Sequence, residues 1–302
     1  MSDSTTPRIG GVIPAMTTPF TRNGETVDTG AAVALAHALV DRGVDGLFPC
    51  GTTGEGLLLS LDERRDLLEA VCRAVGARVS VIAHTGCLDT RGAILLTRHA
   101  RDIGAAAAAV IAPPCYGYDD DALFAHFRAV ADAVPGFPVL LYNLPEFARN
   151  PLSADFVLRL AREVENIVGI KDSGGSLPQV ARLAAEAPRG FIVINGVDDH
   201  TCAARMAGAH GSVASMANLV PEWFRAIYDG LAQHDHERAL AAQRRLSQVT
   251  AVIPDRAFIG GLKAALRMRG LEAGCVRPPQ REAADQERRD IEQGLRSLGL
   301  IE

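Results

Sequence analysis

Short apolar runs alternate with longer amphipathic stretches along most of the chain. The runs are Gly11–Ala15, Gly46–Cys50, Val79–Ala83, Ala107–Ala112, Pro138–Tyr142, Ile167–Lys171, Phe191–Asn195 and Gly211–Ser215. Continuous apolar stretches this short read as strands. Between them, Thr29–Arg42, Leu61–Val75, Thr90–Ile103, Asp121–Val134, Ser153–Glu163 and Pro178–Ala187 carry apolar residues at helical spacing. Strict alternation of the two implies parallel strands joined by right-handed crossovers. Eight such strands predict an α/β fold, a closed (β/α)8 TIM barrel by the simplest count. An open doubly wound sheet is the alternative, because periodicity does not reveal closure. Glycines 43, 104 and 208 each end a helical stretch just before an apolar strand, where a left-handed cap is cheapest for glycine.

Beyond the eighth strand only helical patterns follow: Pro221–Leu231, His236–Val252, Arg256–Arg269 and Gln280–Leu298, the last two separated by a break at Gly274–Pro279. No long linker precedes them. The expected organisation is a barrel over residues 1–225 and a helical extension, 226–302, docked on it as one structural unit.

The length of 302 residues suits one such barrel, which typically needs about 250. With 48% hydrophobic residues the chain can fill a large core, and a net charge of −5 argues against a nucleic-acid partner. The six cysteines form no C-x-x-C pair and read as free thiols of a reducing compartment. The opening MSDSTTPRIGG is polar, without an apolar signal core. The longest apolar run, Gly104–Pro114, is shorter than the about 20 residues that span a bilayer. A cytoplasmic protein without membrane contact is expected.

In a barrel of this kind reactive groups gather where strands end and βα loops begin. Strand two ends in Gly51-Thr52-Thr53-Gly54-Glu55, whose backbone N–H groups and hydroxyls suit an anion; a purely structural turn fits equally well. Strand six ends in Gly169-Ile170-Lys171-Asp172-Ser173. Lysine is scarce, Lys171 and Lys263 being the only two among 31 basic residues. An amine closing an apolar strand faces the barrel mouth, where burial of such a group favours the neutral, nucleophilic form. Pairing of Lys171 with a carboxylate such as Asp172 is the competing reading. Tyr142, one strand earlier at the same level, is placed to move protons beside the amine, or else is a core tyrosine with a backbone partner. None of the eight histidines shows ligand spacing; His234 and His236 read as solvent-facing helix residues, and no metal is expected.

Taken together, Gly51–Glu55, Tyr142-Asn143-Leu144-Pro145 and Gly169–Ser173 fall in order on strands two, five and six. With Gly11–Phe20, Asn195–Asp199 and Gly211–Asn218, they make the chain resemble the dihydrodipicolinate synthase/N-acetylneuraminate lyase family of class I aldolases over residues 9 to 225. The resemblance implies a pyruvate-dependent lyase. Lys171 would form an imine with the C2 carbonyl of pyruvate, so no separate cofactor is called for. Tyr142 would donate and accept protons, relayed by Thr52. Thr53 would hold the pyruvate carboxylate, and the backbone of Val213 would line that site. Tyr116, after strand four, matches a tyrosine that a neighbouring subunit contributes, in an expected homotetramer built as a dimer of dimers.

Specificity is where the chain departs. Synthases of the family usually carry an arginine five residues after the strand-five tyrosine. Phe147 stands there, with Arg149 two residues on as a possible substitute. Gly196, Asp198, Asp199 and Ser215 match positions that contact sugar hydroxyls in the sialic acid lyases. The resemblance therefore tilts toward a 2-keto-3-deoxy sugar acid. Alternatives are dihydrodipicolinate synthase acting on aspartate semialdehyde, a hydratase-aldolase acting on an aromatic keto acid, and, remotely, a keto-acid-binding protein without turnover.

Overall fold

The computed structural model describes residues 9–21 and 24–302. The polar opening segment, residues 1–8, on which the expectation of a leaderless chain partly rests, lies outside them. Eight parallel strands are present: β1 (Gly11–Pro14), β2 (Gly46–Leu47), β3 (Ser80–His84), β4 (Ala107–Ile111), β5 (Val139–Asn143), β6 (Ile167–Asp172), β7 (Ile192–Asn195) and β8 (Gly211–Ala214). Their order is β1-β8-β7-β6-β5-β4-β3-β2. The remaining seam is closed by backbone bonds between the ends of that series. Asp45 N donates to Val12 O at 2.8 Å, Phe48 N to Pro14 O at 2.9 Å and Met16 N to Phe48 O at 3.0 Å. The fold is a (β/α)8 TIM barrel; sequential neighbours with β1 against both β8 and β2 exclude an open doubly wound sheet.

The outer helices are α1 (Thr29–Asp41), α2 (Leu61–Val75), α3 (Thr90–Asp102), α4 (Asp120–Asp132), the short α5 (Pro145–Ala148), α6 (Ala154–Glu163), α7 (Leu177–Glu186), α8 (Thr201–Met206) and α9 (Pro221–Ala232). Their starts follow local capping chemistry. Ser60 accepts from Glu63 N at 3.1 Å while Glu63 accepts from Ser60 N at 2.9 Å, and Asp89, Asp119, Ser153 and Ser176 cap α3, α4, α6 and α7. Strands β3, β4 and β5 are buried at every residue, as strands covered on both faces must be.

Three more helices follow: α10 (His236–Val252), α11 (Phe258–Met268) and α12 (Asp285–Ser297). One apolar core runs from Val12 to Leu295 through barrel and extension alike. The expected division after residue 225 falls inside α9, the eighth barrel helix, where Arg225 pairs with Asp45 before β2 at 2.6 Å. The last helix starts at Asp285 instead of Gln280: residues 277–280 form a turn in which Gln280 N donates to Arg277 O at 3.0 Å, and Glu287 caps the helix by accepting from Ala284 N at 2.7 Å. Strand β2 is shorter than its apolar pattern because Cys50 turns left-handed, with φ of 60°, and starts the loop early. The short helices α5 and α8 carry no long apolar period and are absent from the expected set. Among the described residues no helix is long and apolar enough to cross a membrane, and all six cysteines are unpaired.

Candidate active site

The C-terminal mouth of the barrel holds a cavity of about 500 Å³ lined by Thr52, Thr53, Tyr142, Lys171, Gly196, Asp198, Asp199, Val213 and Ser215. Nine of the ten residues to which the resemblance assigns a site role therefore meet in one place. A larger hollow, about 640 Å³, opens at the other end, around the starts of β1, β3 and β8. Of its polar groups, Arg225 pairs with Asp45 at 2.6 Å and Tyr228 Oη lies 3.1 Å from Ser212 Oγ, and it contains no lysine. The residues singled out from the sequence gather at the C-terminal end instead.

Lys171 and Tyr142 are direct cross-strand partners in the β5–β6 register, so the parallel ladder itself puts amine and phenol at one level. Both are buried, at 4% and 2% exposure. The amine Nζ lies 3.9 Å from the Tyr142 ring centroid and 4.4 Å from that of Phe48, a setting in which the rings wall it from solvent on two sides. It forms no ion pair with Asp172. That carboxylate points outward from the barrel, accepting from Asn143 Nδ2 at 2.9 Å, Gly174 N at 2.8 Å and Gln179 Nε2 at 2.8 Å. Strand alternation sends neighbouring side chains to opposite faces, so the pairing that competed with a free amine is geometrically closed.

Tyr142 Oη is 3.3 Å from Thr52 Oγ1, and Thr53 Oγ1 is 2.7 Å from Ser215 Oγ. The two threonines stand on a tight turn in which Glu55 N donates to Thr52 O and Gly56 N to Gly51 O, both at 3.0 Å. Gly56 is obligatory there: a Cβ on it would lie 1.8 Å from Cys50 O. Below the site, His84 packs edge-on against Tyr142 with ring centroids 5.6 Å apart. Burial, reinforced by the charges of Arg64 and Lys171, drives the His84 pKa well below the usual range, so the imidazole is neutral.

The β7 loop carries the acidic wall. Asn195 ties it by donating from Nδ2 to Val197 O at 2.7 Å, and Met216 N donates to Asp198 Oδ1 at 2.9 Å, joining the β7 and β8 loops. Withdrawal from water pushes the Asp198 carboxyl up to about 6; Met216 N–H opposes the rise and the charge of Asp199 adds to it. Asp199 makes no hydrogen bond or ion pair with any described residue.

Tyr116 is not in this cavity. It is 72% exposed on the β4 loop, whose backbone is held by Asn150 Nδ2 donating to Tyr116 O at 2.8 Å. Phe147 does line the cavity, 57% exposed, whereas Arg149 is not among the lining residues. The sequence reading missed the wall supplied by the C-terminal extension: Thr250, Asp255, Arg256, Phe258, Ile259 and Gln280. Nothing in the local pattern of those residues distinguishes them from helix ends. Arg256 is the one arginine of the lining and has no hydrogen bond or ion pair among the described residues. No group of three or more His, Cys, Asp or Glu side chains is placed to hold a metal among the described residues.

A family model described as the dihydrodipicolinate synthetase family matches residues 8–298. An uncharacterized DapA-like lyase of Halobacterium salinarum is 35% identical, over 96% of this chain and 94% of its own. The 4-hydroxy-tetrahydrodipicolinate synthase of Methanopyrus kandleri is also 35% identical, over 97% of this chain and 98% of its own. Among solved structures, YagE, a prophage protein of the dihydrodipicolinic acid synthase family from E. coli K12 in complex with pyruvate, superposes with a TM-score of 0.92. It is 29% identical and covers 97% of this chain and 99% of its own.

Proposed function

The chain belongs to the dihydrodipicolinate synthetase family, and from that premise we propose that it is a class I aldolase or lyase acting through a pyruvate imine on Lys171. The observation that carries this reading is the cross-strand pair of Lys171 and Tyr142 at the barrel mouth, with Thr52 in reach of the phenol.

The steps follow from that geometry. Lys171 Nζ attacks C2 of pyruvate, and the carbinolamine loses water to give the imine. Tyr142 supplies the proton that leaves with the hydroxyl, and Thr52 relays its replacement. Thr53, with Ser215 behind its hydroxyl, receives the carboxylate beside Val213. The protonated imine withdraws electrons from C3, so an enamine forms when C3 loses a proton or when its bond to an aldehyde carbon breaks. The same enamine adds to an aldehyde in the other direction. No metal takes part in any step.

For the second reactant, we favour a polyhydroxylated aldehyde, hence a 2-keto-3-deoxy sugar acid. Asp198, Asp199 and Gly196 offer acceptors along one wall, and the wall also carries Phe147, which by the resemblance stands where the synthases usually have an arginine. The Ser215 hydroxyl is engaged by Thr53 and so serves the pyruvate side instead. A second reading, condensation with a semialdehyde bearing its own carboxylate, is supported by Arg256 in the wall and by relatives named as 4-hydroxy-tetrahydrodipicolinate synthases. Tyr116 completes the proton relay only from a second copy, and its exposure together with that of Leu57, Leu88 and Tyr118 supports a dimer through these loops, within the proposed tetramer.

The test is mass spectrometry of the intact chain after incubation with pyruvate and borohydride. One reduced adduct mapped to Lys171, lost in Lys171→Ala, is the expected result. No adduct on folded protein would remove the imine and bring the non-catalytic binding protein forward.

A further inference from the structure

The second lysine of the chain is the less expected one. Lys263, on α11, is fully buried and pairs with Glu55, itself buried, at 2.7 Å across 208 residues of sequence. Its other two protons go to Thr18 O and Cys275 O, both at 2.6 Å, so all three ammonium donors are used. Glu55 is the last residue of the Gly51-Thr52-Thr53-Gly54-Glu55 turn. Its second carboxylate oxygen accepts from Arg277 N at 2.9 Å, and Thr18 Oγ1 donates to Gly54 O at 2.6 Å. The turn is thus held from its distal end by the C-terminal extension and by the segment after β1.

Two further facts say what this arrangement supplies. Glu55 sits in the left-handed region, φ 54° and ψ 29°, a conformation a non-glycine residue keeps only where surroundings over-determine it. A buried ion pair, moreover, adds little stability over apolar residues of the same volume, because desolvating both charges offsets their attraction. What it does add is direction. Every atom of the pair has one place, and the place of Glu55 sets that of Thr52, whose carbonyl accepts from Glu55 N.

We propose that Lys263 is a positioning residue for pyruvate binding: acting through Glu55, it fixes the Gly51–Gly56 turn in the pose that presents Thr53 to the pyruvate carboxylate. This rests on the reading of Thr53 and Lys171 given above. It also couples the two halves of the site, since α11 and the segment around Cys275 carry the acceptor wall of Phe258, Ile259 and Gln280.

The experiment is the pyruvate dependence of borohydride trapping at Lys171, on the full chain, in Lys263→Met, Glu55→Gln and the double variant, with thermal midpoints alongside. Lys263→Met is expected to raise the half-saturating pyruvate concentration about tenfold or more, the scale of losing a hydrogen bond to a charged group. Trapping at saturation stays complete. Glu55→Gln, which preserves size and leaves Lys263 its two carbonyls, shifts in the same direction and decides the matter if Lys263→Met does not fold. In the double variant the thermal midpoint recovers, no lone charge being buried, while half-saturation stays raised. Unchanged half-saturation in a folded single variant overturns the positioning role, and so does recovery of both quantities together, which marks a purely structural pair. Absence of any adduct in the wild type overturns the pyruvate reading itself, and this inference with it.

Discussion

Replacing Asp198 by asparagine separates what that carboxyl does for the fold from what it does for the site. In the unfolded chain it titrates near its ordinary value of 3.8; in the cavity wall burial raises it to about 6. Below about pH 4 both states hold the proton and folding is unaffected. Between about pH 4 and 6 the folded state keeps a proton that the unfolded state has released, so stability declines as pH rises. Above pH 6 both states are ionised and the full penalty applies. At about 1.4 kcal/mol per pH decade, the difference between the two values is worth about 3 kcal/mol. Asparagine retains a carbonyl oxygen to accept from Met216 N and carries no charge to desolvate. Asp198→Asn should therefore match the wild type at pH 4 and exceed it at pH 7.5, by a thermal midpoint of about 5 °C in a chain of this size. Activity at pH 7.5 should fall, because a neutral amide accepts hydroxyl protons more weakly than a carboxylate. Differential scanning fluorimetry at both pH values is the assay. A stability offset that does not change with pH, or a loss of stability at pH 7.5, would refute the argument that burial of a charge is the dominant effect at this residue.

Two other substitutions test the division of the cavity. Tyr142→Phe leaves the ring packing of Phe48 and His84 in place and removes only the hydroxyl, so turnover should fall by roughly 10²–10⁴ with folding intact; near-normal turnover would hand the proton to another group. Arg256→Gln should raise KM for a carboxylate-bearing aldehyde about tenfold or more while leaving pyruvate capture and the use of neutral aldehydes unchanged, as expected for loss of a charge-assisted bond. Equal effects on all aldehydes would mean that Arg256 shapes the mouth without reading charge.

Much of the barrel was legible because each of its elements is specified locally. Apolar runs of strand length, helix caps such as Ser60 and Asp89, and glycines at the helix ends before strands need no distant partner to be recognised. The positions of the candidate residues on the strands were equally readable: Lys171 and Tyr142 close apolar runs, and the cross-strand register then places them side by side. The limits came where local pattern and conformation diverge. The apolar run through Cys50 reads as strand to its end, yet the regular strand stops at Leu47 and, past the Phe48 bonds to Pro14 and Met16, Cys50 turns left-handed into the threonine turn.

What the amino-acid order determined by itself, then, was the alternation of strands and helices, the strand ends at which the candidate residues sit, and the residues of one βα loop after another. Tertiary structure alone decided closure of the sheet, through backbone bonds between β1 and β2 that no periodicity encodes. It also decided that Asp172 points away from Lys171, that Tyr116 stands outside the cavity of its own chain, and that residues 250–280 form the far wall of the site. Most of all it decided the partnership of Lys263 with Glu55. Secondary structure arises from interactions a few residues apart and leaves its period in the sequence, whereas a contact across 208 residues depends on the closed barrel bringing α11 under the threonine turn, and leaves no local trace.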